Sequence, residues 1–301
     1  MKEWMVNEIK NLKKKKKALI LAHNYQIPEI QEIADMVGDS LALSKAAVEV
    51  EEKIIVFCGV HFMAESAKIL SPSKKILLPV MEAGCPMADM ITEDKLREYK
   101  MRNPDTAIVC YVNSSAKVKS ESDICCTSSN SLDIVNSLEE DKIMFVPDKN
   151  LGNFVKDKVK NKRVELWPGF CITHHKIEGL EVDKVKEIYP FAEVLVHPEC
   201  NREVVGKADF VGSTSQIINY AKESPKEEFI IGTEIGVLHK LKKENPNKKF
   251  YLLSHRLICV NMKKTSLKDV YYALKDEKHV IEIQEEVRQK ALGPLNRMLN
   301  L

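Results

Sequence analysis

The chain of 301 residues has no run of eighteen apolar residues, so no stretch is long enough to span a bilayer as a helix. It also lacks an excess of charge. Forty-six Lys and Arg stand against 44 Asp and Glu, a formal net charge of +2. That balance gives no general electrostatic case for nucleic acid or for a membrane surface. The opening residues, MKEWMVNEIKNL, lack the apolar region of a secretory signal, and a cytoplasmic location is expected. The one block of like charge, Lys13–Lys17, reads as a solvated helix end running into a strand. Cys85 lacks a nearby partner too: between glycine and proline in MEAGCPMAD, it has no cysteine neighbour nearer than Cys58 and Cys110.

What is present is an ordinary globular composition, 44% hydrophobic, in a chain long enough for two or three domains of roughly 100–150 residues. Eight cysteines in a cytoplasmic chain of this size argue against a disulfide framework and leave metal, redox or packing roles. Cys58 and Cys110 lie inside apolar runs (IIVFCGV, AIVCYVN) and read as core. Cys125 and Cys126 are adjacent, which is poor geometry for a shared metal. Cys85, Cys171, Cys200 and Cys259 fall in loops.

The strongest signal is an internal repeat with a period of roughly 85–90 residues. ALILAHN from Ala18, AIVCYVN from Ala107 and AEVLVHP from Ala192 are short apolar runs with polar ends. DMVGDS at Asp35, DICCTS at Asp123 and DFVGST at Asp209 follow in register, each with a hydroxyl in sixth place: Ser40, Ser128 and Thr214. KIIVF at Lys53, KIMFV at Lys142 and, more weakly, EFIIG at Glu228 form a third set. KILLP at Lys75, RVELW at Arg163 and KFYLL at Lys249 form a fourth. Between these runs lie amphipathic stretches such as SLALSKAAVEV and SLDIVNSLEE.

Continuous apolar strands separated by helices predict parallel sheets covered on both faces. The expected fold is therefore α/β: three pseudo-threefold-related α/β/α domains, each with a small parallel sheet of about four strands. The boundaries are 1–90, 91–179 and 180–262, with 263–301 packing back onto the first domain and HVIEI standing as the first strand of an incomplete fourth unit.

Ligands of open parallel sheets bind outside the carboxyl ends of the strands. There the first strand of each copy delivers His23-Asn24-Tyr25, Tyr111-Val112-Asn113 and His197-Pro198-Glu199. The second delivers Ser40, Ser128 and Thr214, each expected to start a helix, where a hydroxyl serves as an N-cap or helps bind an anion. After its last strand each copy carries one equivalent loop cysteine: Cys85, Cys171 and Cys259. Cys200 has no counterpart in the other copies. Three thiolates around an axis leave two metals open. His174, in CITHH, would complete a Cys₃His zinc site. Alternatively a [4Fe–4S] cluster on three cysteines would leave one iron open as a Lewis acid for dehydration or condensation.

These residues sit in a wider set of motifs: LAHNYQ, GDSLALS, AGCPMADM, YVNSSA, TSSN, PDKNLG, HPEC, GSTSQII and ICVNMKK. With them, nearly the whole chain resembles the quinolinate synthase family, iron–sulfur enzymes of de novo NAD biosynthesis. The resemblance implies a triplicated α/β fold around a [4Fe–4S] cluster held by Cys85, Cys171 and Cys259. It implies condensation of iminoaspartate with dihydroxyacetone phosphate to quinolinate, with loss of phosphate and two waters. It assigns substrate binding to His23, Ser40, Tyr111, Asn113, Ser128, His197, Glu199 and Thr214, and acid–base work to Tyr25 with His23 and Glu199. Unstable iminoaspartate would come from an aspartate-oxidising enzyme, and no nucleic-acid or membrane partner is expected. One departure is that some members carry several cysteines in the last loop, whereas Cys259 stands alone; any redox regulation resting on those thiols would be missing. Two other readings are a different [4Fe–4S] hydro-lyase acting on a small carboxylic acid, and a non-enzymatic cluster-based redox or iron sensor.

Overall fold

The structure is a computed structural model and describes residues 2–301. The apolar runs form three sets of strands: β1 (Ala18–His23), β2 (Met36–Gly38), β3 (Ile54–Cys58) and β4 (Lys75–Leu77); β5 (Thr106–Tyr111), β6 (Ile124–Cys126), β7 (Lys142–Val146) and β8 (Arg163–Leu166); β9 (Glu193–Val196), β10 (Phe210–Val211), β11 (Glu228–Gly232) and β12 (Lys249–Leu252). They make three four-stranded sheets in the orders β2-β1-β3-β4, β6-β5-β7-β8 and β10-β9-β11-β12. The recorded pairings are parallel. Each sheet therefore repeats one topology, second-first-third-fourth, and the protein is α/β with helices flanking parallel sheets, as the alternating pattern predicts.

The repeats agree in detail that no apolar pattern carries. Lys74 donates to the carbonyls of Ala47 (2.7 Å) and Val50 (2.5 Å), at the end of the helix Ser40–Glu49. Lys162 does the same for Leu138 (2.6 Å) after Ser131–Ser137, and Lys248 for Ala221 and Ser224 (both 2.7 Å) at the end of Thr214–Glu223. In each copy an ammonium group thus satisfies last-turn carbonyls that have no partner within the helix. A second recurring contact pairs Lys13 with Asp35, Lys100 with Asp123 and Lys186 with Asp209.

Contacts divide the chain into two compact units: residues 1–104, 112–125 and 260–301, and residues 105–111 and 126–259. In the first, the helix Lys2–Lys16 packs against the helix Leu267–Asp276, joining Ile9, Val270 and Leu274 to Ala18, Ile20 and Ala22 of β1 in one core. The helix Glu285–Leu299 lies against His61–Leu70 and Ala116–Ser120. HVIEI differs from expectation. Instead of a parallel strand it makes one antiparallel bridge, Val280 to Leu77, along the open edge of β4. A fragment with no sheet of its own satisfies its backbone on an available edge. In the second unit, Leu195, Ile217, Phe229, Ile231, Leu241 and Phe250 form one face of the β9–β12 core. No helix among the described residues is long and apolar enough to cross a membrane.

Candidate active site

The eight cysteines separate by burial. Cys58, Cys110, Cys125, Cys126 and Cys200 are buried, whereas Cys85, Cys171 and Cys259 are half-buried. Burial pushes the thiols of Cys58, Cys126 and Cys200 up, so at neutral pH they stay protonated and are poor metal ligands. The three half-buried cysteines lie in the loops after β4, β8 and β12, and each loop is docked by the same backbone bond. Two residues before the cysteine, the carbonyls of Ala83, Gly169 and Leu257 accept from the N–H groups of His61 (2.8 Å), Lys149 (2.8 Å) and Ile235 (2.9 Å). One register therefore presents all three thiols.

In the first unit, β1 ends at His23, whose Nδ1 accepts from the backbone N–H of Tyr25 (3.1 Å). The two rings meet edge to face at 4.5 Å. With Nδ1 used as an acceptor, the neutral imidazole carries its proton on Nε2. This turn is tied to the distant ICVNMKK segment: Gln26 Nε2 donates to the Met262 carbonyl (2.8 Å), and Lys263 donates to the Tyr25 carbonyl. Ser40 opens its helix, but the cap is Asp39, which accepts from Ala42 N–H (3.0 Å). Asn113 is half-buried just after β5, in the stretch assigned to this unit.

In the second unit, five predicted residues form one network around Glu199. Tyr111 Oη donates to its carboxylate (2.7 Å), and His197 Nδ1 lies 3.8 Å from it. His197 repeats the His23 turn, its Nδ1 accepting from Glu199 N–H (3.3 Å) while Nε2 faces Ser128 Oγ (3.2 Å). His174, undecided from sequence, joins the network. Its Nδ1 is 2.7 Å from Glu199 and 3.3 Å from Cys171 Sγ, and its Nε2 is 3.1 Å from Thr233 Oγ1. Cys171, His174 and Glu199 place ligand atoms within 4.8 Å of one another, a group able to hold a metal. Thr214 starts its helix with Ser213 as cap, accepting from Gln216 N–H (3.2 Å).

Ser128 departs from expectation. It sits in a turn three residues before the helix Ser131–Ser137, because Asn130 Oδ1 accepts from Thr127 N–H (2.8 Å) and Oγ1 (3.0 Å) and closes the loop first.

Burial alone would raise the Glu199 carboxyl, but the adjoining His197 and His174 rings and the bonds from His174 and Tyr111 outweigh it and hold Glu199 well below the carboxylate range. Asp148, fully buried nearby, moves the other way. Burial raises it well above its usual range, the Glu199 charge adds to this, and three backbone N–H donors pull back. Sequence reasoning passed over Asp148 and also Glu234. Each stands two residues after the third strand of its repeat, an offset visible once the copies are aligned.

Comparison with known proteins gives the family. The family model described as Quinolinate synthetase A protein matches residues 7–300. A protein of Alkaliphilus metalliredigens named quinolinate synthase is 64% identical over 297 residues, covering 99% of this chain and 98% of that one. Proteins of the same name from Caldicellulosiruptor bescii and Clostridium kluyveri are 58% and 56% identical, covering 99% of this chain and 99% and 98% of theirs. A match along this whole length, on a chain whose motifs and repeated strand ends already point the same way, shows that the chain belongs to the quinolinate synthase family.

Proposed function

We propose that this enzyme condenses iminoaspartate with dihydroxyacetone phosphate to quinolinate, releasing phosphate and two waters, and that Cys85, Cys171 and Cys259 hold a [4Fe–4S] cluster. The observation that carries this is the cysteine census: the three half-buried thiols are the three in equivalent loops, each docked by the same bond two residues upstream. Soft thiol donors in a set of three suit an iron–sulfur cluster. When bound, such a cluster keeps one iron open and supplies a Lewis acid for a substrate oxygen or nitrogen.

The remaining roles belong to the chain's own groups. His23 and His197 keep Nδ1 occupied by backbone N–H groups, which leaves Nε2–H to donate to a substrate carboxylate. Glu199, held as an anion, orients the Tyr111 hydroxyl and the His174 ring on its two oxygens for proton exchange during the condensation. Tyr25 supplies a phenol for a second proton transfer, braced by the His23 ring. Ser40 and Thr214, at the first turns of ten-residue helices capped by their predecessors, bind carboxylate or phosphate together with open backbone N–H groups. Asn113 and Ser128 complete substrate binding. Iminoaspartate would come from an aspartate-oxidising enzyme, in the cytoplasm. The structural repeats taken as 1–90 with 263–301, 91–179 and 180–262 each contribute one thiol.

Anaerobically purified protein should be brown and carry about four irons per chain. It should form quinolinate from iminoaspartate and dihydroxyacetone phosphate under anaerobic conditions. One zinc and no iron would sink the cluster assignment; iron without quinolinate would favour a sensor or a different hydro-lyase.

A further inference from the structure

The ICVNMKK segment carries more than a cysteine: Met262 and Lys263 bond to the LAHNYQ turn that bears Tyr25. Gln26 is buried, and its Nε2 donates to the Met262 carbonyl (2.8 Å) and lies 3.7 Å from Met262 Sδ. Lys263, half-buried, donates from its ammonium group to the Tyr25 carbonyl. The carbonyls on either side, those of Asn24 (3.0 Å) and Gln26 (2.8 Å), both accept from Gln31 Nε2. Three consecutive carbonyls of the turn are thus held by side chains. The middle one, on Tyr25 itself, is held from 238 residues away. The Asn24 and Tyr25 carbonyls belong to the two peptide planes that flank the Tyr25 Cα. With both planes fixed, φ and ψ of Tyr25 are set, and its side chain leaves the backbone in one direction.

Glu199 is held in the same way. Tyr25 and Glu199 each stand two residues after a strand-end histidine, in matching turns. Their N–H groups donate to the histidine Nδ1, and the next N–H groups, of Gln26 and Cys200, donate to the histidine carbonyl (both 3.0 Å). The Glu199 carbonyl accepts from Asn150 Nδ2 (3.0 Å), again a side chain from a distant segment. Asn150 and Lys263 come from different elements, yet each ends on the carbonyl of the residue assigned to the chemistry. Peptides are held by buried side chains at two of the cysteines as well, where the N–H groups of Cys171 and Cys259 donate to Asp148 and Glu234 (both 3.0 Å).

We propose that Lys263 is a positioning residue for Tyr25, aiming the phenol by holding the carbonyl of the residue that carries it. This rests on the acid–base role of Tyr25 given above. A cationic donor bonds a carbonyl more strongly than a neutral amide does, so one ammonium group suffices to fix this peptide. Lys263 acts through the Tyr25 backbone and takes no part in the proton transfer itself. A small misplacement of a reacting group is costly in rate even when binding is kept.

The test compares Lys263→Met and Lys263→Arg in anaerobic holoprotein, each alone and combined with Tyr25→Phe, by quinolinate formation, iron content and thermal melting. Lys263→Met should keep its iron and lower kcat by roughly 10–100-fold, with KM changed far less. Lys263→Arg, which keeps a charged N–H donor, should recover most of that loss. In the Tyr25→Phe background the loss from Lys263→Met should largely vanish, because two residues that act on one step do not add. A folded Lys263→Met with unaltered kcat beside an impaired Tyr25→Phe overturns the proposal, and so does a full additional loss in the double variant. If Lys263→Met does not fold, Lys263→Gln takes its place in the same comparison. Unaltered turnover in Tyr25→Phe overturns the acid–base role of Tyr25 and this proposal with it. Unaltered protein that forms no quinolinate overturns the proposed function itself and removes the step that Lys263 is held to serve.

Discussion

Replacing Glu199 tests the buried network most directly, because its carboxylate receives Tyr111 Oη and faces His174 Nδ1, both at 2.7 Å. Glu199→Gln keeps the shape and an oxygen for Tyr111 but exchanges charge-assisted bonds of about 1.5–3 kcal/mol each for neutral ones of about 0.5–1.5. His174 has a way to adapt. If its proton moves to Nε2, Thr233 Oγ1 can accept it and Nδ1 can accept from the new amide. Removing the charge also relieves Asp148, whose carboxyl Glu199 helps to raise. The net cost should therefore be modest, about 1–2 kcal/mol.

Glu199→Ala leaves both partners buried and unmatched, at about 1–3 kcal/mol each, and should cost about 3–5 kcal/mol with the lost packing. Denaturant unfolding of the two apoproteins reads the difference. The pH dependence has a definite sign. The folded carboxyl lies below its ordinary 4.5, so its contribution is fully present above that value and is lost as pH falls through the folded value. The stability gap between the unaltered protein and Glu199→Gln should then narrow on acidification. Equal, small costs for Gln and Ala, or a gap that widens in acid, would refute the network as described.

Tyr25→Phe should keep its iron and lose turnover by roughly two orders of magnitude or more, because only the phenol is removed; turnover at the unaltered rate would take Tyr25 out of the mechanism. Lys248→Met removes the bonds to the Ala221, Lys222 and Ser224 carbonyls at the end of Thr214–Glu223 and should cost about 1–2 kcal/mol in denaturant unfolding, while leaving iron content unchanged. Glu277, bonded to Lys16 and Lys75, has its carboxyl lowered to about 2. Its contribution, about 1 kcal/mol or less after solvent screening, is present above the ordinary 4.5 and lost toward pH 2, so Glu277→Gln should flatten that part of the acid unfolding profile.

The strand pattern, the triplication and the equivalence of Cys85, Cys171 and Cys259 were legible in the chain, because each rests on local apolar periodicity and on offsets between copies. Helix starts were legible only in part. Ser40 and Thr214 open helices while Ser128 does not, since the Thr127–Asn130 bonds compete for the same backbone. Residues 279–283 follow a strand pattern, but what they pair with depends on which sheet edge is open.

The sequence by itself determined the α/β repeat, the strand-end polar residues and the three loop cysteines, because these are carried by neighbours along the chain. Tertiary structure alone decided which cysteines stay partly open, that His174 meets Glu199 and Thr233, and that Asp148 and Glu234 hold the cysteine peptides. Burial and hydrogen bonding between segments twenty or more residues apart create those properties, and no local pattern encodes them.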